Sequence, residues 1–290
     1  MVKKLNNIAL KGKHGRPVVT DVFYQEEKKK CPIIIFCHGY KGFKDWGTWN
    51  LMAEAFVEKG FLFVKFNFSF NGGTAEQPID FPDLQAFGEN TFTKELDDLE
   101  VLLDWICGPE FPVSDIADTE NISLMGHSRG GGTAVIKASE DTRIKQLITL
   151  ASVSDFNARF PKGEELEAWK KNRIGYIENT RTGQKMPHLY SFYENFIENQ
   201  ERLTISSAAG ELKIPFLIIH GTEDPTVDVS NAEDLKRWNP KAELFLLKGS
   251  NHVFEGQHPW EEKNLPSAKE KIVEKVASFI SDFSANGSFD

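Results

Sequence analysis

Ser128 lies in the segment Gly126-His127-Ser128-Arg129-Gly130, which has the form G-x-S-x-G. An apolar run typical of a strand precedes it (ISLM, 122–125), and a small, apolar stretch typical of a buried helix follows it (130–139). A serine on so tight a strand-to-helix turn can act as a nucleophile, and flanking glycines avoid clashes with its strained backbone. Free N–H groups at the helix start favour developing negative charge. We expect Ser128 to be a nucleophile.

Two alternatives to a nucleophilic serine are a glycine-rich turn with an incidental serine and a phosphate-binding loop. A phosphate loop would show a Gly-Lys-Ser/Thr ending or a G-x-G-x-x-G pattern, and the chain has neither. The strand and helix on either side argue against an incidental serine. Both alternatives are therefore less favoured.

His252 is the predicted base, because a serine hydroxyl is a poor nucleophile until a base takes its proton. It follows the predicted strand 242–247 in a short loop, Gly249-Ser250-Asn251-His252, at the sheet edge where ligand sites of open α/β folds gather. His258 is the alternative if this loop is longer. The other histidines fall in glycine-rich turns, at a strand end, near the N-terminal hairpin or in a polar insertion: His14, His38, His127, His188 and His220.

Asp224 is the predicted acid that orients the histidine and stabilises its charged form. It lies in the sequence His220-Gly221-Thr222-Glu223-Asp224-Pro225, just past a predicted buried strand, and it gives the chain order Ser, Asp, His, which is one of the orders in which such triads occur. Glu223 and Asp228 are alternatives that could equally be solvated turn carboxylates. Asp155, after the strand ending at residue 150, is a further one.

The backbone N–H groups of Tyr40 and Arg129 are the predicted donors to the oxyanion of a tetrahedral intermediate, where one donor is worth about 3 kcal/mol of the barrier. Arg129 follows the nucleophile, and Tyr40 lies in the H-G-x-x-G turn of 37–42 after the strand PIIIFC. The alternative for this turn is an ordinary glycine-rich strand exit. The prediction concerns the main chain and assigns no role to either side chain.

The elements that must position these residues alternate between continuous apolar runs and helical patterns, which predicts a parallel sheet covered on both faces after an antiparallel opening. The predicted strands are 7–10, 18–24, 32–37, 61–68, 122–125, 144–150, 214–220 and 242–247. The predicted helices are 49–59, 91–107, 130–139 and 267–283.

Residues 152–212 break this alternation, because they are polar, rich in aromatic side chains and interrupted by glycines. We interpret them as a cap inserted into a single domain that covers residues 1–290, since no internal repeat or low-complexity linker divides the chain. The cap aromatics either wall a pocket or pack the cap onto the rest of the domain. The sequence does not choose between these two functions.

Composition excludes several classes of function. With 43 acidic and 34 basic residues and a net charge of -9, the chain is not expected to bind nucleic acid. No apolar run is long enough for a secretory signal or a membrane span, so we expect a soluble cytoplasmic protein without membrane contact. The three cysteines (Cys31, Cys37, Cys107) fit no zinc pattern and are expected to be buried, reduced thiols.

The segments HGYKGFKDW, GHSRGG, HGTEDPTV and GSNHVF, in this order, resemble the α/β-hydrolase superfamily, in particular bacterial esterases of the dienelactone-hydrolase-like and cinnamoyl (feruloyl) esterase-like type. The resemblance spans about residues 32–283. It implies a mostly parallel eight-stranded sheet flanked by helices, a triad on Ser128, Asp224 and His252, oxyanion donors at Tyr40 and Arg129, and neither cofactor nor metal.

The departures from these relatives refine the expected activity. Dienelactone hydrolases proper use a cysteine nucleophile, and Ser128 in its place favours a serine esterase that cleaves small-molecule carboxylic esters through an acyl-enzyme. Peptidases related to prolyl oligopeptidase share these turns but usually add a propeller, for which 290 residues leave no room. A peptidase or amidase on the same fold is the alternative, and a non-catalytic binding protein is the remote one.

Overall fold

The computed structural model describes residues 1–285. Its strands are β1 (Lys3–Leu10), β2 (Val18–Tyr24), β3 (Cys31–Cys37), β4 (Leu62–Asn67), β5 (Ala117–His127), β6 (Ile144–Leu150), β7 (Ile174–Glu178), β8 (Lys185–Leu189), β9 (Phe216–Gly221) and β10 (Glu243–Leu247). Its helices are α1 (Trp49–Glu58), α2 (Leu84–Gly88), α3 (Phe92–Ile106), α4 (Arg129–Glu140), α5 (Glu164–Asn172), α6 (Ser191–Glu198), α7 (Ile205–Glu211), α8 (Ser230–Trp238) and α9 (Ser267–Ala285).

Eight of the strands form one sheet in the order β1-β2-β4-β3-β5-β6-β9-β10. The pairs β1–β2 and β2–β4 are antiparallel, and every pair from β4 to β10 is parallel. The carboxyl ends of the parallel strands therefore meet at one edge, where the loops that carry chemistry gather. This confirms the predicted α/β-hydrolase fold with a mostly parallel eight-stranded sheet.

Both faces of the sheet are buried, which explains why its central strands are continuously apolar. Along β3, Ile33 and Ile35 enter one hydrophobic cluster, while Ile34 and Phe36 enter the cluster on the opposite face, as the two-residue period of a strand requires. Helices α3 and α4 cover the first face, and α1 and α9 cover the second. The sheet is thus a rigid platform for the loops at its carboxyl edge.

The segment of residues 152–212 lies between β6 and β9 and is called the cap segment below. It contains a short 3-10 turn (Asn157–Arg159), α5, an antiparallel hairpin of β7 and β8, α6 and α7. We propose, as the sequence predicts, that it is a cap inserted into one domain. The hairpin was not predicted, because β7 and β8 are five residues each and lack the continuous buried apolar run of the sheet strands.

The structure departs from the sequence predictions at several further points. Strand β5 begins at Ala117, earlier than its apolar core, and its pairing with β3 shifts register before Ile33. Cys31 and Cys37 are buried as expected, but Cys107 is exposed because it caps the C-terminus of α3 rather than entering the core.

Within residues 1–285, no helix is both long and apolar enough to cross a membrane.

Candidate active site

The turn from β5 into α4 places Ser128 at the carboxyl edge of the sheet with φ 56° and ψ -122°, a conformation that L-residues rarely adopt. Its amide donates to the carbonyl of Leu150 on β6 at 2.9 Å. A Cβ at Gly126 would lie 2.3 Å from the carbonyl oxygen of Gly130, and a Cβ at Gly130 would lie 2.3 Å from that of His38. The two glycines are therefore required by the close approach of backbone, as the motif predicts.

Ser128, His252 and Asp224 meet at this edge of the sheet. The hydroxyl of Ser128 lies 3.0 Å from Nε2 of His252, and Nδ1 of His252 lies 2.7 Å from Oδ2 of Asp224. The Asp224 side chain is 0% exposed and that of His252 is 14% exposed. Three residues from three different loops are thus joined in one hydrogen-bonded series, which is the geometry that general-base activation of a serine needs.

Asp224 accepts three hydrogen bonds, and a further ring nitrogen lies close to it. The amides of Thr226 and Val227 donate to Oδ1 at 2.8 and 2.9 Å. Oδ2 faces His252, and Nε2 of His220 lies 3.3 Å from the same oxygen. Burial alone would raise the pKa of Asp224, but the nearby ring of His220 and the hydrogen bonds from His252 and the Val227 amide hold it well below its usual value. The carboxylate is ionised at neutral pH.

The alternative acids lie outside this series. Glu223 and Asp228 are exposed, and Asp228 accepts from the amide of Ser230 in its own turn. Asp155 is exposed and accepts from the amide of Asn157. The structure brings Asp224 alone of the four to His252.

His127 holds the loop of His252 through a hydrogen bond to the backbone of that loop. Nε2 of His127 lies 2.9 Å from the backbone carbonyl of His252, and the two rings are 4.8 Å apart. Burial and the neighbouring His252 lower the pKa of His127 well below its usual value, so the ring is neutral and donates from Nε2. The alternative base, His258, instead accepts from the amide of Gly47 at 2.9 Å and stacks on Trp46.

The turn after β3 packs directly against the serine. A Cβ at Gly39 would lie 2.9 Å from Cβ of Ser128, so the backbone of residues 38–40 passes over the nucleophile. Within residues 1–285, neither the amide of Tyr40 nor that of Arg129 is used in a hydrogen bond, and both residues line the cavity above Ser128. Both residues therefore have an unused backbone N–H beside the cavity, and their function as oxyanion donors stays a prediction.

The side chain of Arg129 is part of the wall rather than a free cation. Its Nη2 lies 2.5 Å from Oε1 of Glu95, whose side chain is 1% exposed. Glu95 also accepts from Asn90 at 2.8 Å and from Thr133 at 3.1 Å. The guanidinium carbon lies 4.9 Å from the centre of the Tyr40 ring. Arg129 thus joins α3 and α4 to the turn after β3.

A cavity of about 800 Å³ opens above Ser128 between the sheet edge and the cap segment. Its apolar wall consists largely of buried aromatic side chains: Phe92, Phe156, Phe160, Trp169 and Phe192. Tyr176 and Ile177 of the hairpin also line it, although they are 61% and 47% exposed. The sequence left open whether the cap aromatics line a pocket or pack the cap onto the rest of the domain. Phe160, Trp169 and Phe192 do both, since they line the cavity and belong to the hydrophobic core.

Four residues of this region were not singled out from the sequence: Glu95, His127, His188 and His220. Each contacts a predicted site residue. Glu95 and His188 are distant in sequence from the residues they contact, Arg129 and Tyr40. His127 and His220 lie in motifs in which a neighbouring residue was assigned instead. The one local signal is the spacing of His220 and Asp224, which puts a strand-terminal histidine next to the acid across a tight turn. Among the described residues, no group of three or more His, Cys, Asp or Glu side chains could hold a metal ion.

The chain is similar to several known proteins. It is 24% identical over 204 residues to an uncharacterized 31.7 kDa Escherichia coli protein of the traX-finO intergenic region, covering 67% of this chain and 65% of that relative. It superposes on Est1E from Butyrivibrio proteoclasticus with bound ferulic acid, with a TM-score of 0.71, 19% identity, and coverage of 96% and 99% of the two chains.

A dienelactone hydrolase from Anabaena variabilis gives a TM-score of 0.62 at 14% identity, with 97% and 98% of the two chains covered. At these identities the superpositions establish the α/β-hydrolase fold. The model of the prolyl oligopeptidase family matches residues 52–272. Since this match includes most of the chain, with Ser128, Asp224 and His252 inside it, the protein belongs to the prolyl oligopeptidase family.

Proposed function

We propose that the protein is a serine hydrolase that cleaves carboxylic esters through an acyl-enzyme intermediate. The observation that carries the proposal is the series Ser128, His252 and Asp224, with contacts of 3.0 and 2.7 Å, at the base of a cavity of about 800 Å³. A solved structure described as an esterase domain, from a Rhodothermus marinus protein, has the same fold.

In the proposed first step, Nε2 of His252 takes the proton of the Ser128 hydroxyl as Oγ attacks the carbonyl carbon of the ester. Nδ1–H of His252 donates to Asp224, which keeps the correct tautomer and stabilises the imidazolium. The negative oxygen of the tetrahedral intermediate accepts from the backbone N–H groups of Tyr40 and Arg129. The intermediate collapses as the alcohol leaves with the proton from His252, and the acyl group stays on Ser128.

In the second step, His252 takes a proton from water, and the resulting hydroxide equivalent attacks the acyl carbon. A second tetrahedral oxyanion forms in the same place, and Ser128 leaves with the proton returned by His252. Asp224 remains ionised throughout, which fits the donors that surround it. The cycle consumes one water and needs no other reactant.

The cavity favours an acyl or alcohol group with substantial apolar surface. Phe156, Phe160 and Trp169 each expose less than a tenth of their area yet line the space above Ser128. Aromatic side chains contribute large contact area to ligands and stack on aromatic rings. Est1E, which shares this fold, is a structure with bound ferulic acid. We propose aromatic acyl esters of the hydroxycinnamate kind as the class to test first.

The test is a panel of p-nitrophenyl esters that vary in acyl length and aromaticity, measured beside matched aminoacyl and peptidyl p-nitroanilides. We expect ester hydrolysis by the wild type, and a loss of at least about 1,000-fold in Ser128→Ala and His252→Ala because triad members act as a unit. Ser139→Ala, an exposed serine of the same helix α4, and His258→Ala are the matched controls and should retain activity.

The panel also separates the proposal from its rivals. Anilides cleaved faster than every ester would make the protein an amidase or peptidase, consistent with the name of its family. Equal rates in the wild type and Ser128→Ala would remove Ser128 as the nucleophile. No turnover of any member, with no reaction of Ser128 toward a fluorophosphonate, would favour a binding protein.

A further inference from the structure

One hydrogen bond joins the cap segment to the turn that carries a proposed oxyanion donor. The hydroxyl of Tyr40 lies 2.5 Å from Nε2 of His188, although the two residues are 148 positions apart in sequence. Tyr40 follows β3, and His188 lies in β8 of the cap hairpin. Their ring centres are 5.5 Å apart, so the two rings also pack against each other.

Both partners are neutral at pH 7. Burial raises the pKa of Tyr40 to about 12, against a smaller opposite influence of Arg129. Burial, with the positive charges of Arg129 and Lys41, lowers the pKa of His188 to about 4. A neutral phenol is the better donor and a neutral imidazole nitrogen the better acceptor, so the Tyr40 O–H donates to Nε2. The remaining ring proton of His188 is then on Nδ1.

His188 is itself held in place by the cap segment. Its backbone carbonyl accepts from the indole N–H of Trp169 at 2.8 Å. The ring of Phe87 packs on both members of the pair, 5.8 Å from the Tyr40 ring and 5.4 Å from the His188 ring. The acceptor therefore has a fixed position that depends on the packing of β8 against α2.

The backbone of Tyr40, by contrast, has no anchor of its own. Within residues 1–285, neither its N–H nor its carbonyl takes part in a hydrogen bond, whereas Gly39 accepts from the amide of Gly42 at 3.0 Å. The Tyr40 side chain, in contrast, contacts the Arg129 guanidinium, 4.9 Å from its ring centre, and His188 through its hydroxyl. The contacts that hold Tyr40 are therefore those of its side chain rather than those of its backbone.

We propose that His188 is a positioning residue, which orients the oxyanion donor of Tyr40 through the Tyr40 hydroxyl and so couples the cap segment to the chemical step. The inference rests on the proposed function, since it concerns a donor to the oxyanion of acyl transfer. It assigns a role to two side chains that do not touch the reacting atoms. If this donor points away from the oxyanion, the transition state loses more stabilisation than the bound ester does.

The experiment compares Tyr40→Phe, His188→Phe and the double variant in hydrolysis of p-nitrophenyl acetate, whose acyl group is too small to fill the cavity. Each single variant removes one end of the hydrogen bond and keeps a ring in place. We expect kcat to fall about tenfold in each, with KM nearly unchanged, because misplacing a catalytic group slightly is enough for such a loss. The double variant should lose no more than either single one.

Two further variants separate positioning from general damage. His188→Gln keeps an acceptor for the Tyr40 hydroxyl and should recover most of the lost kcat. Tyr193→Phe removes a hydroxyl from another cap aromatic, which packs on Phe160 at 5.0 Å, and should leave kcat unchanged. Thermal unfolding of every variant checks that the fold is retained.

A second measurement reads the oxyanion site directly. A trifluoromethyl ketone forms a reversible tetrahedral adduct with a catalytic serine, so its affinity should fall about tenfold together with kcat, whereas the affinity for the carboxylic acid product should not change. Unchanged kcat in Tyr40→Phe and His188→Phe, a rise in KM alone, or multiplicative losses in the double variant would overturn the inference. A wild type no faster than Ser128→Ala would overturn the proposed function, and the inference with it.

Discussion

Nε2 of His220 lies 3.3 Å from Oδ2 of Asp224, the carboxylate oxygen that also faces His252. His220 is fully buried at the end of β9, and its Nε2 is 2.8 Å from the carbonyl of Val227. A carboxylate that accepts more hydrogen bonds holds a neighbouring proton less strongly. His220 therefore limits how strongly Asp224 attracts the positive charge of the histidine that takes the serine proton.

We predict that His220→Leu moves the acid limb of the kcat/KM profile to higher pH by about half a unit, because Asp224 loses the polar N–H group 3.3 Å away and becomes more basic. His220→Gln keeps an N–H at a similar reach and should leave the limb close to that of the wild type. The measurement is kcat/KM for one ester between about pH 5 and 9, which spans the range in which a histidine base titrates. Superimposable profiles of His220→Leu and wild type would show that His220 does not act on Asp224.

The glycine at the helix side of the serine turn gives a second prediction. A Cβ at Gly130 would lie 2.3 Å from one backbone carbonyl oxygen and 2.8 Å from another, so Gly130→Ala must displace the turn that holds Ser128. We expect kcat/KM to fall by about 100-fold or more, since small misplacement of a reacting group is costly. Gly210→Ala in α7, where the nearest atom lies 3.7 Å away, is the control and should keep wild-type activity. Similar activity of the two variants would contradict the tight turn.

Lys269 provides a prediction on pH and stability. It is fully buried, with Nζ 4.1 Å from the Trp49 ring centre, and burial lowers its pKa to about 7 against a smaller opposing influence of Glu255. The unfolded lysine has a pKa of about 10.4, so between about pH 7 and 10 the unfolded state binds more protons than the folded state. Stability from this group therefore rises with pH across that window.

Lys269→Met should remove this part of the pH dependence. The wild type should gain thermal stability relative to Lys269→Met as pH rises from about 7 to 9, each pKa unit of difference being worth about 1.4 kcal/mol. Differential scanning calorimetry of both proteins over this range measures the effect. Parallel stability curves would mean that Lys269 is charged in the folded protein at neutral pH.

The sequence was sufficient for the sheet and for the residues at its carboxyl edge because both depend on local signals. Continuous apolar runs such as that of β3 mark buried strands, and the turns that follow them carry Ser128, Asp224 and His252 within short motifs. Chain order and the geometry of parallel strands then bring these turns to one edge. The roles of the three residues stay a prediction until the kinetic tests are made.

The contacts that support the site residues could not be predicted from the sequence, for a physical reason. Glu95 meets Arg129 across two helices, and His188 meets Tyr40 through a hairpin whose register nothing in its five-residue strands determines. Such pairs follow from how the cap segment packs on the sheet edge, which depends on many weak contacts among aromatic side chains. The prediction that Cys107 is buried was wrong for a related reason, since a residue that caps a helix can face either core or solvent.

The most direct test of the account is to locate the acyl group. A slowly deacylating p-nitrophenyl ester of an aromatic acid is mixed with the protein, quenched in acid within the first turnover and examined by peptide mass spectrometry. The account predicts one acyl adduct, on Ser128 in the segment of residues 122–132, which is absent from Ser128→Ala and much slower to form in His252→Ala. Turnover of the ester with an adduct on another residue, or at an undiminished rate in Ser128→Ala, would contradict it.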